Sequence, residues 1–359
     1  MPANATSPAR PEISVIVPAR NEEANLATCI ESLISQTGVK FEIVVINDHS
    51  TDHTREIAES FSDRGVRLVD APELPDGCSG KNNAVAAGAR AAQGEWLLLT
   101  DADTVHLPGS LARALAEARE HQADMLSYSP EQIAATFWEM AVLPVVFAEL
   151  ARQYPPSKVR DANSPIAAAN GQYILISREA YDAVGGHAAI ANEILEDVAL
   201  ARAIKQSGRK IFFRYGADAV RTRMYRNFAQ LREGWTKNLA VLFPNTGRLA
   251  ALTLSLWAVP WLFSSLFVAT HHWWWLTLGI IAFSRNTGVL RRANFDLTME
   301  LLGALFGMPM FAYLLLRSRR AHGRGKVGWK GRIYKSTENS ARSGPNHPGT
   351  LSFRAQRGT

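Results

Sequence analysis

Short apolar runs alternate with helical spacing through roughly the first hundred residues of this chain, and that alternation constrains its fold more than any other feature. Residues 13–17, 42–47 and 66–70 read as strands. Residues 22–35, 52–61 and 81–92 carry helical spacing, clearest at Leu26, Ile30 and Leu33. The run Trp96-Leu97-Leu98-Leu99-Thr100 is unbroken, as in a strand buried on both faces. Such alternation predicts an α/β chain with a doubly wound, mostly parallel sheet. Pro18-Ala19-Arg20-Asn21-Glu22 follows the first strand without a glycine, so the dinucleotide-binding fingerprint is absent.

In a parallel sheet the carboxyl ends of the strands open on one crevice, the usual ligand site. Asp48 ends the second strand, and Asp101 and Asp103 follow the Trp96 strand. In extended chain, carboxylates two positions apart point to the same side. A pair of hard oxygen ligands there suits Mg²⁺ or Mn²⁺ carrying a diphosphate, against the plainer alternative of a solvated turn. Lys81 and Asn82 open a helix after Gly77-Cys78-Ser79-Gly80, a helix-start anion site or simply an exposed first turn. Glu196-Asp197 begins another helix. Adjacent helical residues point about 100° apart, so only one of the two is expected to face a pocket. Asp197 shares its stripe with Leu200, Ala201 and Ile204 and is the better candidate for a general base. Burial and Glu196 raise its pKa, the helix start lowers it, and the sequence leaves the sign open.

The later sequence is more apolar. Residues 137–150 are too short to cross a bilayer, which takes about 20 residues, and suit a core helix or an in-plane membrane contact. A strand at 173–176, helices at 178–184 and 194–207 and a strand at 210–213 follow. Residues 249–268 make a good membrane span, with Trp257 and Trp261 inside it. Residues 273–289 are interrupted by Arg285 and Asn286; residues 301–316 contain Gly303, Gly307 and Pro309. Three crossings would separate Arg291-Arg292 from the basic tail, against the positive-inside rule, so the third segment is expected to be in-plane or re-entrant. From residue 317 onward eleven Lys/Arg face one acid, Glu338, and this basic tail suits a cytoplasmic membrane surface. No nucleic-acid motif accompanies it. Beyond Ser336 the Ser/Gly/Pro/Asn-rich chain is expected to be partly disordered. Two cysteines, Cys29 and Cys78, exclude a disulfide framework and fit a reducing compartment. Residues 1–12 carry no signal-peptide pattern and are expected to be flexible. A lone His187 lacks partners at zinc-ligand spacing and is expected to be structural or acceptor-side. His271-His272 is expected to be a loop between spans.

Ile13-Ser14-Val15-Ile16-Val17-Pro18-Ala19-Arg20-Asn21-Glu22, Asn47-Asp48-His49-Ser50-Thr51-Asp52, Gly80-Lys81-Asn82-Asn83-Ala84, Asp101-Ala102-Asp103, Gly185-Gly186 and Glu196-Asp197 occur in the order seen in family 2 glycosyltransferases. The chain resembles that family over roughly residues 12–240. His187, the late apolar segments and Gly325-Lys326-Val327-Gly328-Trp329-Lys330-Gly331-Arg332 look like its hopanoid-associated and carotenoid-type members. The resemblance implies a GT-A catalytic domain over residues 13–245, membrane segments over 249–316 and a basic tail over 317–359. It implies inverting, metal-dependent transfer of a sugar from a nucleotide diphosphate, UDP-linked by resemblance, to a lipid hydroxyl at the cell membrane, with the catalytic domain cytoplasmic. Asp48 would accept the uracil N3–H, with Glu22 near the nucleoside. Asp101 would sit by the ribose or metal, Asp103 would ligate Mg²⁺ or Mn²⁺, Lys81 would support the base or diphosphate, and Asp197 would be the base. Asn47 departs from the commoner Asp-Asp pair. Arg232-Glu233-Gly234-Trp235 stands where processive members carry Gln-x-x-Arg-Trp; Arg232 and Trp235 would close over the diphosphate, although Phe228, Leu231, Trp235 and Leu242 also form an apolar stripe. Related members often begin with a membrane helix, and this sequence does not. Competing readings are sugar transfer to a polyprenyl phosphate, a non-catalytic nucleotide-sugar or lipid binder, and nucleotidyl transfer, which lacks its glycine-rich first loop.

Overall fold

A computed structural model describes residues 10–75, 78–243 and 245–324, and the backbone of three strands in the tail. The chain divides into two compact units, Met1–Glu131 with Pro156–Thr222, and Gln132–Pro155 with Arg223–Thr359. This differs from a single catalytic unit over 13–245.

In the first unit β1 (Ile13–Ala19), α1 (Leu26–Ile34), β2 (Phe41–Asn47), α2 (Thr54–Glu59), β3 (Val66–Asp70), α3 (Gly80–Ala91) and β4 (Trp96–Leu99) follow the expected alternation. The helix expected from residue 22 begins at Leu26, because Asn21 takes a left-handed φ of 53° and Glu22 N–H is taken by Thr54 Oγ1 at 2.7 Å. Then come β5 (Thr104–His106), α4 (Ser110–Glu120), β6 (Met125–Ser129) and β7 (Glu131–Gln132). After α5 (Phe137–Gln153), which belongs to the second unit, the chain returns with α6 (Pro156–Arg160), β8 (Ile174–Ser177), α7 (Arg178–Ala183), α8 (Gly186–Ala189), α9 (Glu196–Gln206), β9 (Ile211–Tyr215) and β10 (Val220–Thr222). Glu12, expected in a flexible arm, donates its N–H to Lys40 O and accepts from Trp96 N–H, each at 2.9 Å, and so extends the interior strand β1 at its amino end; residues 1–9 lie outside the described residues.

The main sheet has seven strands in the order β3-β2-β1-β4-β8-β6-β9. β1 lies parallel to β2 and β4, and β2 to β3, whereas β8 runs antiparallel to β4 and β6. The sheet is therefore mostly parallel. The chain leaves β1 for β2 and β3 on one side and returns to β4 on the other, which creates a switch point at the carboxyl ends of β1, β2 and β4. β5 and β10 form a short antiparallel pair immediately after the Asp101–Asp103 segment. The core beneath is built from Ile13, Val15, Leu26, Ile30, Leu33, Val45 and Leu98. Cys29 is buried there, and burial pushes its thiol up to about 12.

The second unit is helical. α5 carries a Thr136–Glu139 capping box and buries Ala141, Val142, Leu143, Val145 and Val146, so residues 137–150 form a core helix. α10 (Phe228–Leu242) starts at an Asn227 cap. α11 (Thr246–Thr270) and α12 (Trp273–Leu290) pack antiparallel, as the Phe267–Trp273 and Phe263–Trp275 ring pairs and the Asn286–Leu256 hydrogen bond require. α13 (Leu297–Leu302) continues through a π turn at Gly303–Gly307 into α14 (Met308–Gly323). Gly307 has no room for a side chain, since a Cβ would lie 1.9 Å from Ala141 O. Among the described residues, Thr246–Thr270 and Leu297–Gly323 are the helices long and apolar enough to cross a membrane. In the tail, β11 (Lys326–Trp329), β12 (Arg332–Ser336) and β13 (Phe353–Gln356) pair antiparallel. Residues 337–352 and 357–359, where disorder was expected, lie outside the described residues.

Candidate active site

The carboxyl ends of β1, β2 and β4 carry the site. The loops after β1 and β2 are laced together: Thr51 N–H donates to Asn21 Oδ1 at 2.9 Å, and Arg20 Nη1 to Asp48 O at 2.7 Å. Both loops hold a non-glycine residue in the left-handed region, Asn21 and His49, a strain the lacing sustains. Asp48 is buried, and His49 Nδ1 stands 3.5 Å from its Oδ1. Glu22 Oε2 accepts from Asn25 Nδ2 at 3.0 Å. Asn47 has a use of its own: its Nδ2 donates to Asp70 Oδ1 at 3.0 Å and its Oδ1 accepts Ser50 N–H. That hydrogen bond, with Arg55, holds the Asp70 carboxyl below its ordinary range. A carboxylate at position 47 would face Asp70 instead.

Asp101 and Asp103 do not lie in extended chain. The segment turns, with Thr104 Oγ1 donating to Asp101 O at 2.7 Å, so the two-position argument for a shared side fails and the turn itself sets the carboxylates. Beneath it lies a buried polar network. Thr100 Oγ1 donates to Gln172 O at 2.8 Å, Gln172 Nε2 to Thr222 Oγ1 at 3.1 Å, and Thr222 Oγ1 to Asp103 O at 3.2 Å.

Lys81 reaches from the start of α3 to two carboxylates, Asp101 Oδ1 and Glu196 Oε1, each at 2.7 Å. Burial opposes its charge, but the two acids outweigh burial and hold the ammonium well above its ordinary range. Asn82, next on the helix, donates Nδ2 to the carbonyls of Ile190, Ala191 and Glu193 and so ties α3 to the loop before α9. Asp197 Oδ2 accepts Gly171 N–H at 3.0 Å, and its Oδ1 accepts Val198 N–H at 2.8 Å. Burial first, then the Glu196 carboxylate, push the Asp197 carboxyl up to about 6, against Lys81 and the two main-chain donors. The sign left open by the sequence is upward.

Glu196 and Asp197 both line one cavity of about 10 Å³, with Lys81, Asp101, Gly171 and His187. The expectation that only one of the pair faces a pocket is therefore corrected: at the first turn the longer glutamate bends to Lys81 while the aspartate stays with the main chain. The volume matches about one water. Gly171 is a residue no motif marked; a Cβ there would come within 3.2 Å of Lys81 Nζ and 3.5 Å of Asp197 Cβ. The signal in sequence was only a small residue before a strand. His187 is buried and Tyr181 Oη lies 3.1 Å from its Nδ1; burial brings it down to about 4, so it is neutral at pH 7. Gly186 makes that packing possible, as a Cβ there would overlap the Tyr181 ring at 2.3 Å.

Residues 14–185 match the model of glycosyl transferase family 2. This stretch is a family 2 glycosyltransferase domain. It is 31% identical over 269 residues to a 4,4'-diaponeurosporenoate glycosyltransferase of Staphylococcus aureus strain MRSA252, covering 71% of this chain and 66% of that one. The corresponding protein of strain USA300 is 31% identical over 241 residues, covering 64% of this chain and 60% of the relative. The chain thus spans less than two thirds of either relative's length. Its fold is similar to a mannosyltransferase of Pyrobaculum calidifontis solved with GDP-Man and Mn²⁺, at a TM-score of 0.51, 19% identity and 87% coverage of each chain. The family 2 domain is thus of GT-A type, as the motif order implied.

Arg232 and Trp235 lie on α10 in the second unit. Trp235 is buried against Phe147 and Tyr225, the packing of the apolar stripe, and the Arg232 guanidinium stands 5.9 Å from the Phe228 ring centroid. The side chains of the 325–332 motif lie outside the described residues.

Proposed function

We propose that this protein is an inverting glycosyltransferase that moves a sugar from a nucleotide diphosphate to a lipid hydroxyl at a membrane. The observation that carries the reading is Lys81 bridging Asp101 and Glu196 beside Asp197, at the switch point of a family 2 sheet. Asp197 takes the proton of the acceptor hydroxyl as its oxygen attacks the anomeric carbon. The bond from that carbon to the diphosphate oxygen breaks in line, configuration inverts, and the nucleoside diphosphate leaves. Lys81, with the α3 amides behind it, balances the charge that gathers on the diphosphate. Asp48 accepts the base N3–H, with Glu22 at the nucleoside.

Asp101 and Asp103 fit a divalent cation by donor type. Among the described residues no group of three or more His, Cys, Asp or Glu side chains is arranged to hold a metal. Mg²⁺ and Mn²⁺ commonly take one or two carboxylates and complete their shell with substrate phosphates, which matches this donor set. When bound, the ion offsets negative charge on the leaving diphosphate. The neighbour solved with GDP-Man and Mn²⁺ supports this, and the relative named for 4,4'-diaponeurosporenoate supports an apolar acceptor. The apolar helices and the basic residues that follow them support a membrane location with the catalytic domain cytoplasmic.

The test is transfer from radiolabelled UDP- and GDP-sugars, with Mn²⁺ or Mg²⁺, into solvent-extractable lipid of host membranes. Label is expected with wild type and not with Asp197→Asn. Full activity of Asp197→Asn overturns its role as base. Binding of labelled donor without transfer to any supplied lipid or polyprenyl phosphate overturns the enzymatic reading.

A further inference from the structure

Six arginines of the second unit collect at one end of its long helices. Arg248 lies in the first turn of α11, Arg291 and Arg292 follow α12, and Arg319, Arg320 and Arg324 end α14. Residues 249–284 contain no Asp, Glu, Lys or Arg at all. The opposite end of the α11–α12 pair is the His271-His272 turn, where His271 takes a left-handed φ of 53° and Trp273 and Trp274 are 72% and 52% exposed. Charged base, apolar shaft and tryptophan tip repeat the order of a bilayer's headgroups, hydrocarbon and far interface. From Leu249 to Thr270 the helix rises about 33 Å, against a hydrocarbon thickness of about 30 Å.

The backbone inside the shaft is completed as a hydrocarbon medium demands. Pro260 has no N–H for Leu256 O, and Asn286 Nδ2 of α12 takes that carbonyl at 2.9 Å. Pro309 likewise has none for Leu305 O, and Trp257 Nε1 of α11 takes it at 2.9 Å. Two orphaned carbonyls thus find side-chain donors on neighbouring helices rather than water.

The third helical stretch does not run the length of this pair. Gly303 meets Leu290, Leu305 meets Trp257, and Arg319 meets Gly247, so it passes only the first part of α11 and heads away from the tip. Its basic end therefore lies at the same end as Arg248 and Arg292.

We propose that α11 crosses the bilayer with α12 beside it as a two-pass hairpin, while residues 297–323, although long and apolar enough to cross, lie obliquely at the arginine-rich face rather than forming a third crossing. α12, shorter and less apolar than a lone span, crosses as the packed partner of α11, with Asn286 paired to Leu256. The partner surface is a leaflet carrying anionic headgroups, which the clustered guanidinium groups complement. Arg285, little more than one turn inside α12, is exposed and has a side chain long enough to reach that face. This arrangement rests on the membrane association proposed above and removes the clash between three crossings and the positive-inside rule.

The experiment is cysteine accessibility in the full chain carrying Cys78→Ser, with buried Cys29 retained. His271→Cys, Arg292→Cys and Arg324→Cys are each labelled with a membrane-impermeant maleimide, in spheroplasts and in inverted vesicles. The expected result is that His271→Cys labels in spheroplasts, whereas Arg292→Cys and Arg324→Cys label in inverted vesicles. Labelling of Arg292→Cys and Arg324→Cys from opposite faces restores a third crossing and overturns the proposal. Labelling of all three from one face overturns the crossing hairpin but leaves membrane association standing. Recovery of the chain in the soluble fraction overturns both. Transfer activity of each variant, on the same membranes, reports folding.

Discussion

Asp197 and Glu196 are neighbours at the head of one helix, yet they serve different partners: Glu196 meets Lys81 at 2.7 Å, and Asp197 accepts from the main-chain N–H groups of Gly171 and Val198. With its carboxyl raised to about 6 by burial and by Glu196, Asp197 is ionised over the neutral range while holding its proton in mild acid. Transfer is expected to rise with pH through an apparent pKa near 6, checked by kcat/KM from pH 4.5 to 8. The sign for stability is opposite. A folded carboxyl whose pKa stands above its ordinary 3.8 loses stability as pH climbs from there to about 6, and Asp197→Asn is expected to flatten that slope in urea denaturation. Lys81 pulls Asp197 downward, so Lys81→Met should move the acid limb of the rate profile to higher pH as well as weaken nucleotide binding. A limb that stays in place would show that Lys81 does not act on Asp197.

At the scale of elements, Gly186 decides packing by leaving space. Gly186 sits at φ 51° with the Tyr181 ring where a Cβ would be. Gly186→Ala is expected to cost about 1–3 kcal/mol and to displace the Tyr181–His187 contact, read by denaturation of the purified chain. In the helical unit the polar crosslink Asn286–Leu256 bridges a proline gap. Asn286→Leu leaves that carbonyl without a donor and should lower stability by about 1 kcal/mol, measured by thermal unfolding in detergent. No change there would mean that the gap is filled by other means. The strands up to β4 and helices α2 and α3 are legible to within a few residues because each keeps its own period. α1 is legible in type but not in its start, since a left-handed Asn21 and a hydrogen bond from a distant loop set it.

For the whole molecule, the tertiary contacts redraw the boundary. α5 lies mid-sequence in the catalytic region but packs with the late helices, because it is apolar on most faces and needs a second helical layer to bury them. The exposed apolar shaft of α11 and α12 gives the molecule a surface that water does not favour. An alkaline carbonate wash is expected to leave the full chain with the membrane pellet; release into the supernatant would count against insertion. Removal of divalent ions with EDTA should abolish transfer, with Mn²⁺ or Mg²⁺ restoring it, and activity indifferent to EDTA would exclude a role for the ion.

The order of strands and helices, the acids at the strand ends and the apolar late segments were all legible in the sequence. Each depends on local period or on a short motif that survives without its neighbours. Tertiary structure alone decided that Lys81 joins Asp101 to Glu196, that Gly171 seats Asp197, and that Asn47 serves Asp70. Those pairings link residues far apart in the chain, and the low polarity around them, which sets Asp197 upward, exists only once the sheet and α9 close over the site.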